Sequence, residues 1–272
     1  FSPDNTRVLT GSWDHTAILW DAHTARPLLT LAGHEAAVVY AGFGPSGASL
    51  FTASTDGTAT QWDASTGSEL RTYFGHTRAL NAAAFSPDGA SVLTGGEGSR
   101  AFLYDTATGR PLRIYFGHAG AISDVAFSPD GAFVLTGSAD GSARLWDAAT
   151  GAPVCTYSGH TDKVRSVAFS PDGAQVLTGS SDATAKVWHA TLGVELLTIA
   201  GHLEGVNGAV FSHDGAYILT GSDDHTARLW NATTGAFIRT FAGHTDAVRS
   251  VAFSPDDAHV VTGGMDATVR IW

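Results

Sequence analysis

Short apolar segments alternate with polar turns along the whole chain. In one copy of this pattern, residues 164–169 (VRSVAF) are rich in strand-forming residues and are followed by the turn SPDG at 170–173. Two further strand-like segments lie at 175–179 and 184–188, and a fourth, at 154–157, precedes them. Because Pro presets φ and Gly accepts a positive φ, each break predicts a tight turn. The spacing predicts four short antiparallel strands per copy and no helix.

The pattern recurs with a fixed period of 42 residues. A Gly-His pair marks the loop before the first strand of a copy, at positions 33–34, 75–76, 117–118, 159–160, 201–202 and 243–244. An aromatic residue closes the third strand 28 positions after each of these histidines. A period of this size indicates one supersecondary unit copied many times. Features that all copies share must build the fold, so function is sought where the copies differ.

The predicted fold class is all-β, a seven-bladed β-propeller of four-stranded antiparallel blades. One small sheet has two faces to cover, and stacking the sheets around an axis buries both. Seven periods need 294 residues, 22 more than the chain has, so we expect blade one to lack its inner strand and blade seven its outer strand. Residues 1–272 are predicted to form a single domain taken from a longer chain. The alternative is an excerpt from a longer propeller array.

The copies share a consensus sequence that resembles a known family. The Gly-His pair, VxxVAFSPDG and LTGSxDGTARLWD together resemble the WD-repeat (Trp-Asp repeat) β-propeller family, and the resemblance covers all 272 residues. It implies that a His, a Thr, an Asp and a Trp form a hydrogen-bonded tetrad within each blade. The implied tetrads are His34, Thr52, Asp56 and Trp62; His118, Thr136, Asp140 and Trp146; His160, Thr178, Asp182 and Trp188; His202, Thr220, Asp224 and Trp230; and His244, Thr262, Asp266 and Trp272.

The chemistry of such a tetrad favours a structural role. A carboxylate can accept a hydrogen bond from His and set its tautomer, while the other ring nitrogen accepts from the Thr hydroxyl. The hydroxyl oxygen in turn accepts from the indole N–H. His, Asp and a hydroxyl also resemble the triad of a hydrolase. Five identical copies are not expected to be five active sites, so we predict no catalytic residue.

The third copy departs from the consensus. Gly98 stands where the turn Asp is expected, and Tyr104 replaces the Trp. His76 is therefore expected to lack a carboxylate partner unless the neighbouring Glu97 turns inward. We expect this tetrad to be weakened.

Composition narrows the classes of function. The chain has 15 Lys and Arg against 26 Asp and Glu and no basic run, so neither a nucleic-acid nor a membrane surface is expected. Cys155 is the only cysteine, which rules out an intrachain disulfide and is typical of a reducing compartment, so a cytoplasmic location is expected. The remaining histidines lack the spacing of metal ligands, and no cofactor is expected.

The family resemblance implies a non-catalytic protein-interaction scaffold. We expect a monomeric propeller that presents one face to partner proteins or peptides. By analogy with the family, the variable positions of that face lie three and five residues after the loop His and one residue before the turn Asp. A sensory or regulatory module of a larger signalling protein is the alternative, and a propeller hydrolase is a more remote one.

Two groups of these positions supply candidate partner-binding residues. Trp13 and Met265 lie on blades one and seven, which a closed ring would make neighbours. Together with Arg249 they have the composition of an interface anchor, although Trp13 could instead cover a hydrophobic gap. Lys163 and Arg165, assigned to blade four, form a basic spot suited to an acidic peptide or a phosphate, unless they are merely a solvated surface. The remaining candidates are Asn207 and Asp223.

The tetrad hypothesis predicts unequal effects of removing two acidic side chains. Replacing Asp182→Ala leaves buried polar partners unsatisfied, at a cost of about 1–3 kcal/mol each, whereas Glu97→Ala breaks no complete tetrad. We expect the first variant to lower the melting temperature more than the second in thermal denaturation. Equal losses would count against the assignment of these residues.

Overall fold

The computed structural model describes residues 1–272, and these form 26 β-strands joined by turns and loops. It contains no helix with the length and apolar character that crossing a bilayer requires. The chain divides into two compact units, Phe1–Phe127 and Ser128–Trp272.

The strands are short and evenly spaced in both units. Those of the first unit are β1 (Arg7–Gly11), β2 (Thr16–Asp21), β3 (Pro27–Ala32), β4 (Val38–Phe43), β5 (Ser49–Ser54), β6 (Ala59–Asp63), β7 (Glu69–Tyr73), β8 (Leu80–Phe85), β9 (Ser91–Gly96), β10 (Arg100–Asp105), β11 (Pro111–Phe116) and β12 (Ile122–Phe127). Those of the second unit are β13 (Phe133–Ser138), β14 (Ser142–Asp147), β15 (Pro153–Ser158), β16 (Val164–Phe169), β17 (Gln175–Ser180), β18 (Thr184–His189), β19 (Glu195–Ala200), β20 (Val206–Phe211), β21 (Tyr217–Ser222), β22 (Thr226–Asn231), β23 (Phe237–Ala242), β24 (Val248–Phe253), β25 (Val260–Gly264) and β26 (Val269–Ile271).

Consecutive strands form seven sheets, which are the blades. The sheets that begin with β4, β8, β12, β16 and β20 have four strands each, whereas the first (β1 to β3) and the last (β24 to β26) have three. The first sheet begins with the strand that is second in a complete blade, and the last sheet ends with the third. The predicted fold class, an all-β seven-bladed propeller with incomplete first and last blades, is confirmed.

The inner strand of a blade carries a β-bulge near its start. In the fifth blade, Val164 pairs with Ser180 and Ser166 pairs with Gly179, so Arg165 has no pairing partner of its own. A bulge of this kind disrupts the ladder locally and redirects the side chain of the extra residue. Four other blades show the same shift, always at the fifth residue after the loop His. The bulged residues there are Val39, Asn81, Asn207 and Arg249.

Successive blades pack face to face within each unit. Five of the six residues of β17 are buried, and Leu177 on this strand shares a core cluster with Val206 and Ala209 of the next inner strand. The blades approach so closely that a Cβ on Gly179 would lie 2.9 Å from Cγ1 of Val206. Burial on both faces explains why the second strand is almost continuously apolar instead of alternating.

The assignment of Lys163 and Arg165 to the fourth blade is wrong. Arg165 lies on β16 and Lys163 directly precedes it, and β16 is the inner strand of the fifth blade. The first blade begins without a Gly-His loop, so the fourth such loop in the chain leads into the fifth blade.

The close contact between blades predicts that Gly221→Ala destabilises the protein. A Cβ at this position would lie 2.7 Å from Cγ1 of Val251 and 2.8 Å from Cγ1 of Val248. Overpacking of this kind costs about 1–3 kcal/mol. The free energy of unfolding, measured by chemical denaturation, should fall by that order.

Gly98→Ala is the matched control, because a Cβ there has no atom within 4 Å. Both variants restrict the unfolded chain in the same way. A fall of equal size in the two proteins would show that the contact between blades is not the cause.

Candidate functional site

The fifth blade contains a complete tetrad that connects the loop before its inner strand with β17, β18 and the turn between them. His160, in the loop before β16, donates from Nδ1 to the Asp182 carboxylate at 2.8 Å. The Thr178 hydroxyl donates to Nε2 at 2.7 Å, and the Trp188 indole N–H donates to the same hydroxyl oxygen at 2.9 Å. The Asp182 carboxylate also accepts from the amide of Thr161 at 3.0 Å. Each polar group of this hydrogen-bonded series, from the Asp182 carboxylate to the Trp188 indole, therefore has a partner.

Three other blades repeat this geometry. Their histidines lie 2.8 to 2.9 Å from the carboxylate and 2.7 to 2.8 Å from the hydroxyl. The residues concerned are His34, Thr52, Asp56 and Trp62; His202, Thr220, Asp224 and Trp230; and His244, Thr262, Asp266 and Trp272. In the fourth blade, Trp146 donates to Thr136 at 2.9 Å, while the remaining contacts proposed for His118 and Asp140 stay a prediction.

Glycine precedes the His because the tetrad Trp covers that position. A Cβ on Gly159 would lie 2.9 Å from Cη2 of Trp188, and one on Gly201 would lie 2.8 Å from Cη2 of Trp230. A side chain there would displace the indole from its hydrogen bond. The recurrence of the Gly-His pair in the sequence is thus a packing requirement.

The electrostatics of the tetrad in the fifth blade keep Asp182 ionised and disfavour the charged form of His160. Burial alone would raise the pKa of Asp182. Hydrogen bonds from the Thr184 hydroxyl, the Thr161 amide and His160 outweigh this effect and lower the pKa to about 2. Burial lowers the pKa of His160, although the nearby carboxylate acts in the opposite direction. Both ring nitrogens are already engaged, so this imidazole has no free atom with which to act as a general base.

A second polar cluster forms where the bulged residues of neighbouring blades meet. We call Arg165, Asn207, Asp223 and Arg249 the bulge cluster. The Arg165 guanidinium donates to the Asn207 carbonyl and lies 3.3 Å from the Asp223 carboxylate. Arg249 donates to the same Asn207 carbonyl at 3.1 Å and lies 3.5 Å from Asp223. Two cations from different blades thus share one carboxylate and one amide.

Asn207 also connects two blades directly. Its side-chain amide donates to Asp223 at 2.8 Å and to the backbone carbonyl of Val248, on the next inner strand, at 3.0 Å. Asn81, at the matching position of the third blade, donates to the backbone carbonyl of Ile122 at 2.8 Å. This bridging role was missed from the sequence, although the recurrence of Asn at the bulge is a signal that could have indicated it.

The comparison with known families agrees with this geometry. The profile of the family described as WD domain, G-beta repeat (WD40) matches the chain seven times. The chain belongs to this family. The matched residues are 1–21, 25–63, 67–105, 109–147, 151–189, 193–231 and 235–272. No curated protein matches the chain.

A WD repeat and a blade are out of phase. The repeat at 151–189 contains β15, the outer strand of the fourth blade, followed by β16, β17 and β18 of the fifth. The tetrad His lies in the loop between these two blades. WD40 propellers generally act as protein-interaction scaffolds.

The other candidate residues of this WD propeller are exposed. Lys163 is exposed, lies two residues before Arg165 in the chain and forms no ion pair. Trp13 is 71% exposed and Met265 is 37% exposed. Trp13 belongs to the first unit and Met265 to the second, so the grouping of these two residues stays a prediction.

The third WD blade departs from the others as its sequence predicts. His76 Nε2 lies 2.8 Å from the Thr94 hydroxyl, but Gly98 supplies no carboxylate. Glu97 is exposed and forms no hydrogen bond with His76. The hydroxyl of Tyr104 is buried without a hydrogen-bond partner, and burial raises its pKa to about 12.

The lowered pKa of His76 predicts that the protein loses stability in mild acid. Burial lowers its pKa to about 4 from the ordinary value of 6.5, with no carboxylate acting in the opposite direction. Between these pH values the unfolded chain binds a proton at this ring and the folded chain does not, so acid favours unfolding. The free energy of unfolding should fall by roughly 1–3 kcal/mol from this ring as the pH drops from about 6.5 to 4.

The variant His76→Gln removes this contribution, and its stability should depend less on pH in the same window than that of the wild type. Denaturant titrations at several pH values measure the difference. The control is His23→Gln, because His23 is exposed. If His76→Gln leaves the pH dependence of the free energy of unfolding unchanged, the His76 ring is not its source.

Proposed function

We propose that this chain is a non-catalytic protein-interaction scaffold that binds a partner protein or peptide through the bulge cluster and Lys163. The observation that carries the proposal is the β-bulge. It places the fifth residue after five of the six loop histidines outside the pairing of the inner strand. Its side chain can vary from blade to blade without disturbing the ladder.

The accessible groups of the cluster are polar and differ between blades. The Arg249 side chain is 46% exposed and that of Arg165 is 32% exposed. Asp223 accepts from neighbouring groups and offsets one of the two positive charges. With Lys163 the surface carries three cations, which stand among the acidic residues Asp162, Glu204 and Asp246 of the loops before these strands, on a chain of net charge −11. An acidic segment of a partner fits this surface best, because guanidinium groups bind carboxylates with good geometry.

The tetrads support the non-catalytic part of the proposal. A Ser-His-Asp hydrolase needs an imidazole nitrogen that can take a proton from a nucleophile facing substrate. Here the Thr178 hydroxyl is buried between the ring of His160 and the indole of Trp188. The same arrangement in four blades satisfies buried polar groups and leaves the hydroxyl no room to attack.

The proposal predicts a specific loss in affinity capture. The double variant Arg249→Ser/Lys163→Ser should retain less of at least one protein that the wild-type chain captures from a cell extract, as measured by quantitative mass spectrometry. Retention should also fall with added salt, because exposed charge pairs are screened.

The matched control is Arg239→Ser/Arg110→Ser, which removes two exposed arginines that do not belong to the bulge cluster. A parallel variant, Trp13→Ala/Met265→Ala, tests the other candidate residues. If the cluster variant and the control retain the same proteins in the same amounts, the bulge cluster is not the binding surface.

A further inference from the structure

The third blade contains a pocket beside its incomplete tetrad. The pocket has a volume of about 560 Å³, and it is open to solvent. We call it the third-blade pocket and define it by the residues that bear on its chemistry: His76, Thr77, Arg78, Glu97, Gly98 and Arg100. All of these residues belong to the first compact unit.

The intact blades show what the third blade lacks. In them, the turn carboxylate accepts from Nδ1 of the loop His and from the amide of the residue after it. The corresponding groups here are Nδ1 of His76 and the amide of Thr77, and neither has an acceptor. Nε2 of His76 is held by Thr94 as in the other blades, so the opposite nitrogen keeps the same direction. A Cβ on Gly98 would have no atom within 4 Å, so the space of the absent side chain is open.

The charge around this space is reversed relative to the other blades. Two residues after the loop His, the last three blades have Asp162, Glu204 and Asp246, whereas the third blade has Arg78. Two residues after the turn position, the complete blades have a Thr or Ser, whereas the third has Arg100. Both arginines are exposed and line the pocket. The third blade thus loses the turn carboxylate and the cation that the last four blades carry at the position of Phe102, and it gains cations at positions 78 and 100.

The ring of Phe102 completes one wall. Its centroid lies 4.5 Å from that of His76, at the position where the last four blades have Lys or Arg. Phe102 therefore gives the pocket an apolar wall next to the His76 ring.

We propose that the third-blade pocket binds a carboxylate group from outside the chain, which takes the position of the absent Asp side chain. The carboxylate accepts hydrogen bonds from His76 Nδ1 and the Thr77 amide, and the Thr94 hydroxyl donates to Nε2 as in the intact tetrads. Arg78 and Arg100 supply charge-assisted hydrogen bonds to the same group. This site is independent of the proposed scaffold function and lies apart from the bulge cluster in the chain.

The volume of the pocket exceeds that of a carboxylate, so the remainder of the ligand also has space. The group can come from an acidic side chain of a peptide or from a free small organic acid. The two sources share the same chemistry at His76, and the experiment below separates them.

The test is a titration of the ¹⁵N-labelled protein followed by NMR. The probes are acetate, a Gly-Asp-Gly tripeptide blocked at both ends and the neutral Gly-Asn-Gly tripeptide blocked in the same way. We expect saturable shifts of the Thr77 amide and the His76 ring with acetate and with the acidic tripeptide, and none with the neutral one. Arg100→Gln should weaken the binding by roughly tenfold, the effect of losing one charge-assisted hydrogen bond.

Gly98→Asp is the decisive variant, because it supplies the carboxylate within the chain. It should fold, since the position is open and does not need a positive φ, and it should abolish the shifts at Thr77. Gly98→Ala supplies no hydrogen-bond acceptor, so the shifts at Thr77 should remain in this variant. Glu97→Gln removes the one carboxylate lining the pocket and should keep or strengthen the binding.

The outcomes separate the sources and test the proposal. Shifts with acetate but not with the acidic tripeptide would show that the pocket admits only a free small acid, and shifts with the acidic tripeptide would show that it also admits an acidic side chain of a peptide. Equal shifts with the acidic and neutral tripeptides, no shifts with any probe, or shifts that persist in Gly98→Asp, would overturn the proposal.

Discussion

A buried imidazole that must satisfy both of its nitrogens organises each complete blade. The ring lies in the loop between blades and reaches the second and third strands through a hydroxyl and an indole, while its other nitrogen holds the turn between those strands through a carboxylate. One side chain therefore connects three parts of a blade that are distant in sequence. Because an unsatisfied buried polar group costs more than a hydrogen bond contributes, the tetrad specifies the geometry more than it adds stability.

The β-bulge separates two roles of the inner strand. The strand pairs and packs in the same way in each blade, whereas the side chain at the bulge differs between blades. Strand pairing and packing between blades use the residues on either side of the bulge, so the bulged position is free to differ. It is Val in the second blade, Asn in two others and Arg in two more. In the second unit these side chains meet around Asp223 and form contacts between blades as well as an exposed surface. A scaffold can change its surface in this way without changing its fold.

The third blade shows how far the pattern can be lost while the sheet persists. Its four strands keep their pairing although the carboxylate and the indole are both absent. Aromatic packing replaces part of the polar network, since Tyr104 contacts both Tyr73 and Phe102. The unpaired Tyr104 hydroxyl and the low pKa of His76 are the consequences of keeping polar groups where their partners are missing.

The periodic sequence determined the strands, the turns and the number of blades, because each of these depends on residues at fixed spacing within one repeat, and the tetrads followed from the family resemblance that the repeat carries. The departure of the third blade was visible for the same reason, at Gly98 and Tyr104. Only the tertiary structure showed that Arg165, Asn207, Asp223 and Arg249 share hydrogen bonds, since they lie on different blades and the bulge that redirects three of them is a property of strand pairing. It also placed Arg78 and Arg100 around an open position, a cavity whose existence depends on how loops pack and not on any one residue.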